Sequence, residues 1–464
     1  MTIDDCVFVI DAGQQKEKHF DSNRNMESLE TVWISRANAS QRKGRAGRVM
    51  PGICIHLFTR HRHDNNLLSQ PIPEIHRIPL EQLLLRIKML PNFDNQSLTK
   101  VLNDSIEPPN MDNVEGAIKR LQNLGAFEKE NLTPLGSHLA LLPVDVRIGK
   151  LMLFGAIFQC LDSILTICAC LSHKSPFVSP FSKRQEADAK KRQFSIGNSD
   201  HLTALNAYRR WKEAKKKSRY ASQVYADENF LSLKTLEMLG EIKYQFLELL
   251  ISIGFVPVDM PKQRKGKSFD DNLFELTGKD LNANSENSKL IGAILCAALY
   301  PNVVKILTPE KNYVNTSAGA MPRAFLPSEL RFKTKEDGYV ALHPSSVNST
   351  VGTFLSPFLI YQEKVKTSRI YIRDCTMVPI IPLILFSGSD VIIEMHNSDF
   401  LFLLEEGWLL IQADSLKTAE GMKWMKKELM NVLEEKIKDP LLNLWNHEIG
   451  KRVIGTIVHL LSKE

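Results

Sequence analysis

The sequence predicts a multidomain protein: a partial α/β domain, then a long helical region, then a small β-barrel followed by a helical extension. Three observations carry this reading. The 464 residues exceed what one hydrophobic core organises and suit about three to five compact units. The apolar pattern changes from short runs at the start, to helical spacing through the middle, to short alternating runs between Gly, Asn and Pro toward the end. A hydrophobic content of 43% is that of a globular chain rather than a disordered one.

In residues 1–68 the apolar run Cys6-Val7-Phe8-Val9-Ile10-Asp11 suits a parallel strand covered on both faces. A two-stranded excursion within Lys16–Ser35 follows, basic through Lys16, Lys18, His19 and Arg24; a helix after Ala39 and a strand Ile53–Phe58 complete the segment. Residues 69–135 carry an amphipathic helix, Leu80–Leu90, a second helix, Val114–Leu124, closed by Gly125, and a short hairpin around Phe127–Leu132.

Residues 136–260 read as helices over Ile148–Cys160, Ser163–Leu171, Ala187–Phe194, Leu202–Lys217 and Leu231–Ile253, broken by the Pro-, Ser- and Lys-rich loop Ser175–Lys183. Residues 261–288 are polar and read as a linker or insertion that need not be ordered. In residues 289–412 a helix, Leu290–Leu299, precedes short strands over Val303–Leu307, Leu330–Lys333, Tyr339–Leu342, Phe358–Tyr361, Ile370–Ile372 and Leu383–Phe386, a pattern for a small barrel. Val391–Met395 and Leu401–Gln412 are expected to add strands, and residues 413–464 to form an extension led by the helix Leu416–Ile437.

Composition excludes several classes. Met1-Thr2-Ile3-Asp4-Asp5 is no signal peptide, and no apolar stretch reaches about eighteen residues without a charge or proline, so no membrane partner and a soluble, cytoplasmic or nuclear protein are expected. Seven cysteines without paired C-x-x-C spacing read as reduced core thiols. The histidines, His61 and His63 among them, form no ligand constellation, so no structural metal is expected.

The segment richest in chemistry is Gln41-Arg42-Lys43-Gly44-Arg45-Ala46-Gly47-Arg48. Arginine's planar fork pairs with phosphate oxygens and stays charged at any biological pH. Small residues between the arginines let backbone and phosphate come close. The spacing suits a loop-to-helix segment in which Arg45 and Arg48, three apart, share a helical face.

These eight residues resemble motif VI of superfamily 2 helicases in the form found in the DEAH-box (RHA-type) RNA helicases. Thr2-Ile3-Asp4 resembles the end of that family's motif V. Pro73-Glu74-Ile75-His76-Arg77, Leu132-Thr133-Pro134-Leu135-Gly136, Leu142-Pro143-Val144-Asp145, Ser199-Asp200-His201-Leu202 and Leu299-Tyr300-Pro301-Asn302 resemble its C-terminal domains in the same order. The resemblance covers nearly the whole chain and is nearest to the large multi-module animal members. It implies the end of a second RecA-like domain over 1–68, whose excursion is the family's β-hairpin against nucleic acid. A winged helix over 69–135, a ratchet-like helical bundle over 136–260 and an OB-fold over 289–412 follow.

The resemblance also implies the chemistry: ATP-dependent RNA helicase activity with 3′-to-5′ translocation. Gln41, Arg45 and Arg48 become catalytic residues facing the γ-phosphate of ATP with Mg²⁺, while Thr2 and Asp4 touch the nucleotide. Arg42 is expected to be structural, tied to neighbouring acids. The 464 residues contain neither G-x-x-x-x-G-K-[ST] nor D-E-A-H; Gly266-Lys267-Ser268 has Pro261 where the loop needs its first glycine and reads as a basic linker. The expectation is therefore half a motor that hydrolyses no ATP alone and needs a first RecA-like domain in cis. Possible protein cofactors are implied as well. The alternative is a non-catalytic RNA-binding or partner-docking protein derived from a helicase.

For RNA, mainly single-stranded, two regions stand out. From Lys183 to Arg219 twelve Lys/Arg face four acids, a surplus larger than the +6 of the whole chain, with Tyr208 and Trp211 interleaved at helical spacing. In Lys366-Thr367-Ser368-Arg369-Ile370-Tyr371-Ile372-Arg373 alternation puts Arg369, Tyr371 and Arg373 on one strand face, near the loop of His343 and Ser345. Lys366, Ser368, Arg369, Tyr371, Arg373, His343 and Ser345 are the candidate RNA contacts.

Overall fold

A computed structural model describes residues 6–21, 26–257, 276–309, 313–316, 319–322, 325–367, 369–388, 391–396 and 399–463. The chain divides into two compact units, Met1–Leu80 with Thr99–Ala117, and Glu81–Leu98 with Ile118–Glu464.

In the first unit, strand β1 (Phe8–Asp11) lies parallel to β4 (Ile53–His56), with Phe8 opposite Ile53 and Ile10 opposite Ile55. Between them β2 (Gln14–Asp21) and β3 (Met26–Trp33) pair antiparallel as a hairpin, from Gln14 opposite Trp33 to Asp21 opposite Met26. Helix α1 (Arg36–Lys43) starts at Ser35, whose hydroxyl accepts the Asn38 amide. Gly13 stands between β1 and β2 at φ +75°, against the Phe58 ring, a place no side chain could occupy. The expected covering of β1 on both faces is not what the structure has. Phe8 and Ile10 are 68% and 70% exposed, and Ile53, Ile55 and Leu57 lie open beside them. Helix α2 (Arg60–Asn65) closes this stretch, and α4 (Leu98–Asn103) belongs largely to the same unit.

The second unit begins with α3 (Glu81–Met89), whose Glu81 pairs with Arg120 on α5 (Met111–Leu124). Helix α5 ends at Gly125 (φ +81°), where the amides of Gly125 and Ala126 turn back to Gln122 and Leu121. The two-residue strands β5 (Phe127–Glu128) and β6 (Asn131–Leu132) form the hairpin, and α6 (Pro134–Leu141) starts from the Thr133 cap with proline in its first turn.

The helical region comprises α7 (Val146–Ile157), α8 (Leu161–Ser172), α9 (Arg184–Gln193), α10 (Asp200–Lys217), α11 (Arg219–Glu228) and α12 (Leu233–Ser252). Residues 276–287, expected to belong to a linker, are built into this region instead. Asn282 accepts the Asp162 amide at 2.8 Å and the Ser285 carbonyl accepts the Ser163 hydroxyl at 2.8 Å. A polar segment is ordered here because the Asn282 side chain and the Leu281 carbonyl accept the Asp162 and Leu161 amides at the start of α8.

After α13 (Ser288–Leu299) comes a closed five-stranded barrel of β7 (Val303–Leu307), β10 (Arg331–Thr334), β11 (Gly338–Leu342), β12 (Phe358–Lys366) and β13 (Ile370–Met377). β10 pairs with β7 and β11, β11 runs parallel to β13, and β12 closes the ring by pairing with both β13 and β7. Its core holds Val304, Ile306, Phe332, Leu342, Leu359, Tyr361 and Ile372. A hairpin of β8 (Tyr313–Thr316) and β9 (Gly319–Pro322) is inserted after β7.

Two expectations fail here. Leu383–Phe386 is not a strand but the end of helix α14 (Ile380–Phe386), since a short apolar run buried all round fits either period. The next strands do not join the barrel: β14 (Ile392–His396), β15 (Asp399–Leu404) and β16 (Leu409–Ala413) make their own antiparallel sheet, followed by α15 (Leu416–Lys438) and α16 (Glu448–Lys463). No helix among the described residues is long and apolar enough to cross a membrane.

Candidate functional site

The arginine-rich segment runs helix to turn, the reverse of the expected order. Gln41, Arg42 and Lys43 form the last turn of α1, and the chain then winds on through Gly44–Gly47 with the Arg45 and Ala46 amides bonded three residues back, to Arg42 and Lys43. Arg45 and Arg48 therefore sit beyond the helix end rather than on its face. Two anchors fix the turn: Ala46 is buried, and Gly52 packs so closely on the Ala46 and Val7 carbonyls that a Cβ there would collide with both. Gln41 and Arg48 are exposed and Arg45 is half-buried. Thr2 and Asp4 lie outside the described residues.

Arg42 has the structural position the sequence implied. Its guanidinium donates to Asp11 Oδ1 at 2.8 Å and to the Gln14 carbonyl at 3.2 Å, tying the motif to β1. The Asp11 side chain is fully buried, also accepts the Gly13 amide at 2.9 Å, and lies 3.3 Å from His56 Nδ1. Burial pushes the Asp11 carboxyl upward, but the Gly13 amide, Arg42 and His56 outweigh it and hold it below the usual carboxylate range. Asp11 is thus committed to holding the motif. Guanidiniums and a carboxamide, the groups of Arg45, Arg48 and Gln41, are donors suited to phosphate oxygens rather than to a metal ion.

The second cluster lies on the barrel. Phe332, Val340, Leu342 and Ile372 point into its core, so the pleat turns Arg331, Lys333, Tyr339, Ala341, Tyr371 and Arg373 outward. His343 follows β11 and meets Tyr371 edge-on, ring centroids 5.7 Å apart, while its Nδ1 pairs with the Ser345 hydroxyl at 2.7 Å. Arg373 bonds Glu363 on the neighbouring strand at 3.0 Å. Lys366 is exposed at the end of β12, opposite Ile370, a strand away from the Tyr371 row. Arg369 opens on a groove with Arg331, Tyr339, Asn348 and Ser349. Ser368 is outside the described residues. So His343, Ser345, Tyr371 and Arg373 come together, Arg369 lies alongside, and Lys366 does not join them.

Sequence reasoning did not connect this loop to α9 and α10. Lys191 donates to the Ser345 carbonyl at 2.6 Å. Burial, then the charges of Arg373, Lys191 and Arg184, hold the His343 imidazole below its ordinary value against the opposing pull of Asp374. The cations Arg373, Lys191 and Arg184 gather around this loop, and such a cluster attracts phosphate. In the basic strip itself Tyr208 and Trp211 are buried, with ring centroids 5.6 Å apart. Several of its cations lie against protein: Arg209 bonds Glu286 and the Ser285 carbonyl, Arg210 stacks on Phe194 and Lys215 on Trp211.

Comparison with known proteins follows the same modules. Residues 117–144 match the winged-helix part and 145–204 the ratchet-like part of the helicase associated domain (HA2). Residues 291–391 match the oligonucleotide/oligosaccharide-binding (OB)-fold and 402–463 the C-terminal domain in RNA helicases. Over its whole length the chain is 50% identical to the putative ATP-dependent RNA helicase DHX57 of Mus musculus and covers 34% of that protein. The chain belongs to the DEAH-box RNA helicase family. It is also 42% identical to the ATP-dependent DNA/RNA helicase DHX36 of Mus musculus and 38% identical to the DExH-box ATP-dependent RNA helicase DExH1 of Arabidopsis thaliana, covering 43% and 42% of them. It therefore spans about a third to two-fifths of the length of these DEAH-box relatives.

Proposed function

We propose that this chain supplies the arginine-finger and RNA-channel half of an ATP-dependent RNA helicase. The observation that carries the proposal is the Asp11–Arg42 pair. It holds the motif turn in place, with Gln41 and Arg48 exposed on it and Arg45 beside them. Hydrolysis of bound ATP·Mg²⁺, held mainly by a P-loop domain outside these 464 residues, would supply the driving force. Arg45 and Arg48 would neutralise phosphoryl charge, and Gln41 would orient the attacking water. The open apolar face of Phe8, Ile10, Ile53 and Ile55 supports the same reading, because parallel strands normally have both faces covered.

On the other unit, His343, Ser345, Arg373 and Lys191 would hold phosphates of single-stranded RNA, with Tyr371 under a base. These contacts position the strand without reading its sequence. The alternative, an RNA-binding protein without catalysis, gains nothing from the retained Gln41, Arg45 and Arg48.

A two-part assay on the purified chain tests the proposal. It should bind a single-stranded oligoribonucleotide with strong salt dependence, and Arg373→Ala with Lys191→Ala should weaken binding. It should turn over ATP no faster than background. Turnover abolished by Arg48→Ala, or RNA affinity indifferent to both surface substitutions, would contradict it.

A further inference from the structure

We propose that Ser179, in the loop between α8 and α9, is a phosphorylation site for a proline-directed protein kinase, and that its phosphate weakens RNA binding by neutralising the α9 cations beside His343. The effect on RNA rests on the RNA reading of the barrel.

Two serines of this loop precede proline, in Ser175-Pro176 and Ser179-Pro180, and both are exposed. The structure separates them. Pro176 is buried, and the loop is tethered there to the junction of α11 and α12. The Pro176 carbonyl accepts the Ser232 amide at 2.9 Å, and the Val178 amide donates to the Phe230 carbonyl at 2.8 Å. A kinase that must grip the proline after its serine finds Pro176 out of reach.

Ser179 follows this tether under different conditions. Pro180 is only half-buried and holds an extended backbone, φ −63° and ψ 140°. The residue before a proline is itself biased to extended geometry. An extended serine in solvent is what the peptide cleft of a kinase takes. On either side Phe181 lies wholly in solvent and Val178 is 43% exposed, so apolar contacts are offered without unfolding the helical region.

In the transfer, Ser179 Oγ bonds to the γ-phosphorus of the kinase's ATP and the bond from that phosphorus to ADP breaks. The hydroxyl proton passes to the aspartate of the kinase's catalytic loop. The loop gains about −1.5 to −2 charges and three strong acceptor oxygens. They arise just ahead of Lys183 and Arg184, both exposed.

These cations connect the loop to the barrel. Lys191 spans the two, its ammonium 5.2 Å from the centroid of the Phe177 ring and 2.6 Å from the Ser345 carbonyl. Arg184 and Lys191 are both among the charges acting on His343. A phosphate that pairs with these side chains cancels part of the positive field that the His343 loop offers to RNA.

The test treats the full chain with a cyclin-dependent-type kinase and ATP·Mg²⁺, maps the phosphate by mass spectrometry, and titrates labelled oligouridylate at several salt concentrations. Ser179 should carry the phosphate and Ser175 should not. The phosphorylated chain should bind about tenfold more weakly, with a salt slope smaller by about 1–2. Ser179→Ala, treated alike, should keep the affinity of the untreated chain. The inference is overturned if the chain takes no phosphate at Ser179, or if Ser175 is modified in its place. It is equally overturned if phosphate at Ser179 leaves affinity within about twofold; binding that Arg373→Ala still weakens would then show that the RNA reading stands without it. An untreated chain that binds no oligouridylate overturns the RNA reading and this inference together.

Discussion

Asp200 and Ser346, 146 positions apart, share a hydrogen bond of 2.6 Å at the heart of the barrel's attachment. The same carboxylate accepts the Val347 amide at 2.9 Å and the Cys375 amide at 3.1 Å, and it lies almost wholly out of solvent. One residue in the first turn of α10 thus fixes both the loop that carries His343 and Ser345 and the strand that carries Tyr371 and Arg373. Next to it Ser199 and His201 each bond the Thr376 hydroxyl, at 2.6 and 2.7 Å.

Asp200→Ala should therefore cost about 2–4 kcal/mol, because three buried donors lose their acceptor at once. Urea unfolding measures it. The RNA affinity of the still-folded variant should fall too, through a loosened loop, although Asp200 touches no RNA.

Inside the barrel Lys364 reaches Asp337 at 2.6 Å, and both side chains are essentially buried. Lys364→Ala should destabilise by about 3–5 kcal/mol, leaving an uncompensated carboxylate in the interior. Replacing both, Lys364→Met with Asp337→Leu, should recover most of the loss. A double variant as unstable as the single one would show that the lysine stem, not the charge pair, matters.

The Asp11 carboxyl has its folded-state value depressed by the Gly13 amide, Arg42 and His56. A depressed carboxyl contributes stability that is present above its unfolded value, about 3.9, and is lost as pH falls through the lower folded value. Stability of the first unit should thus be insensitive to this group from pH 5 to 8 and decline below about pH 4. Asp11→Asn should flatten that acid limb. Arg42→Ala, at a partly exposed guanidinium, should cost about 1–2 kcal/mol.

The sequence made some of this legible and hid the rest for physical reasons. Long amphipathic helices such as α10 and α12 announce themselves by period, and capping residues such as Ser199 and Ser232 mark their starts. The motif turn was read as a helix because its small residues do not reveal where helical bonds shorten to three-residue turns. Helix α14 was read as a strand because a seven-residue apolar run has no polar face to show its period. The sheet of β14–β16 was assigned to the barrel since strand pairing partners are set by packing, not by local pattern. Lys191 and Arg184 were visible as charges, but their place beside His343 depends on contacts about 150 residues apart.

The thiols offer a check on packing. Burial pushes Cys170 up to about 12, and Cys160, Cys296 and Cys375 are raised well beyond the ordinary thiol range. At pH 8 a disulfide reagent should modify the half-buried Cys6 before the buried Cys160, Cys296 and Cys375, which should react only on unfolding.

The most direct measurement of the central proposal is RNA-stimulated ATP turnover by a chimera in which this chain replaces its matching stretch in the 50%-identical mouse relative. Arg48→Ala in that chimera should lower turnover by roughly three to five decades with RNA affinity unchanged. Turnover within about threefold of the unsubstituted chimera would contradict an arginine-finger role for the motif turn.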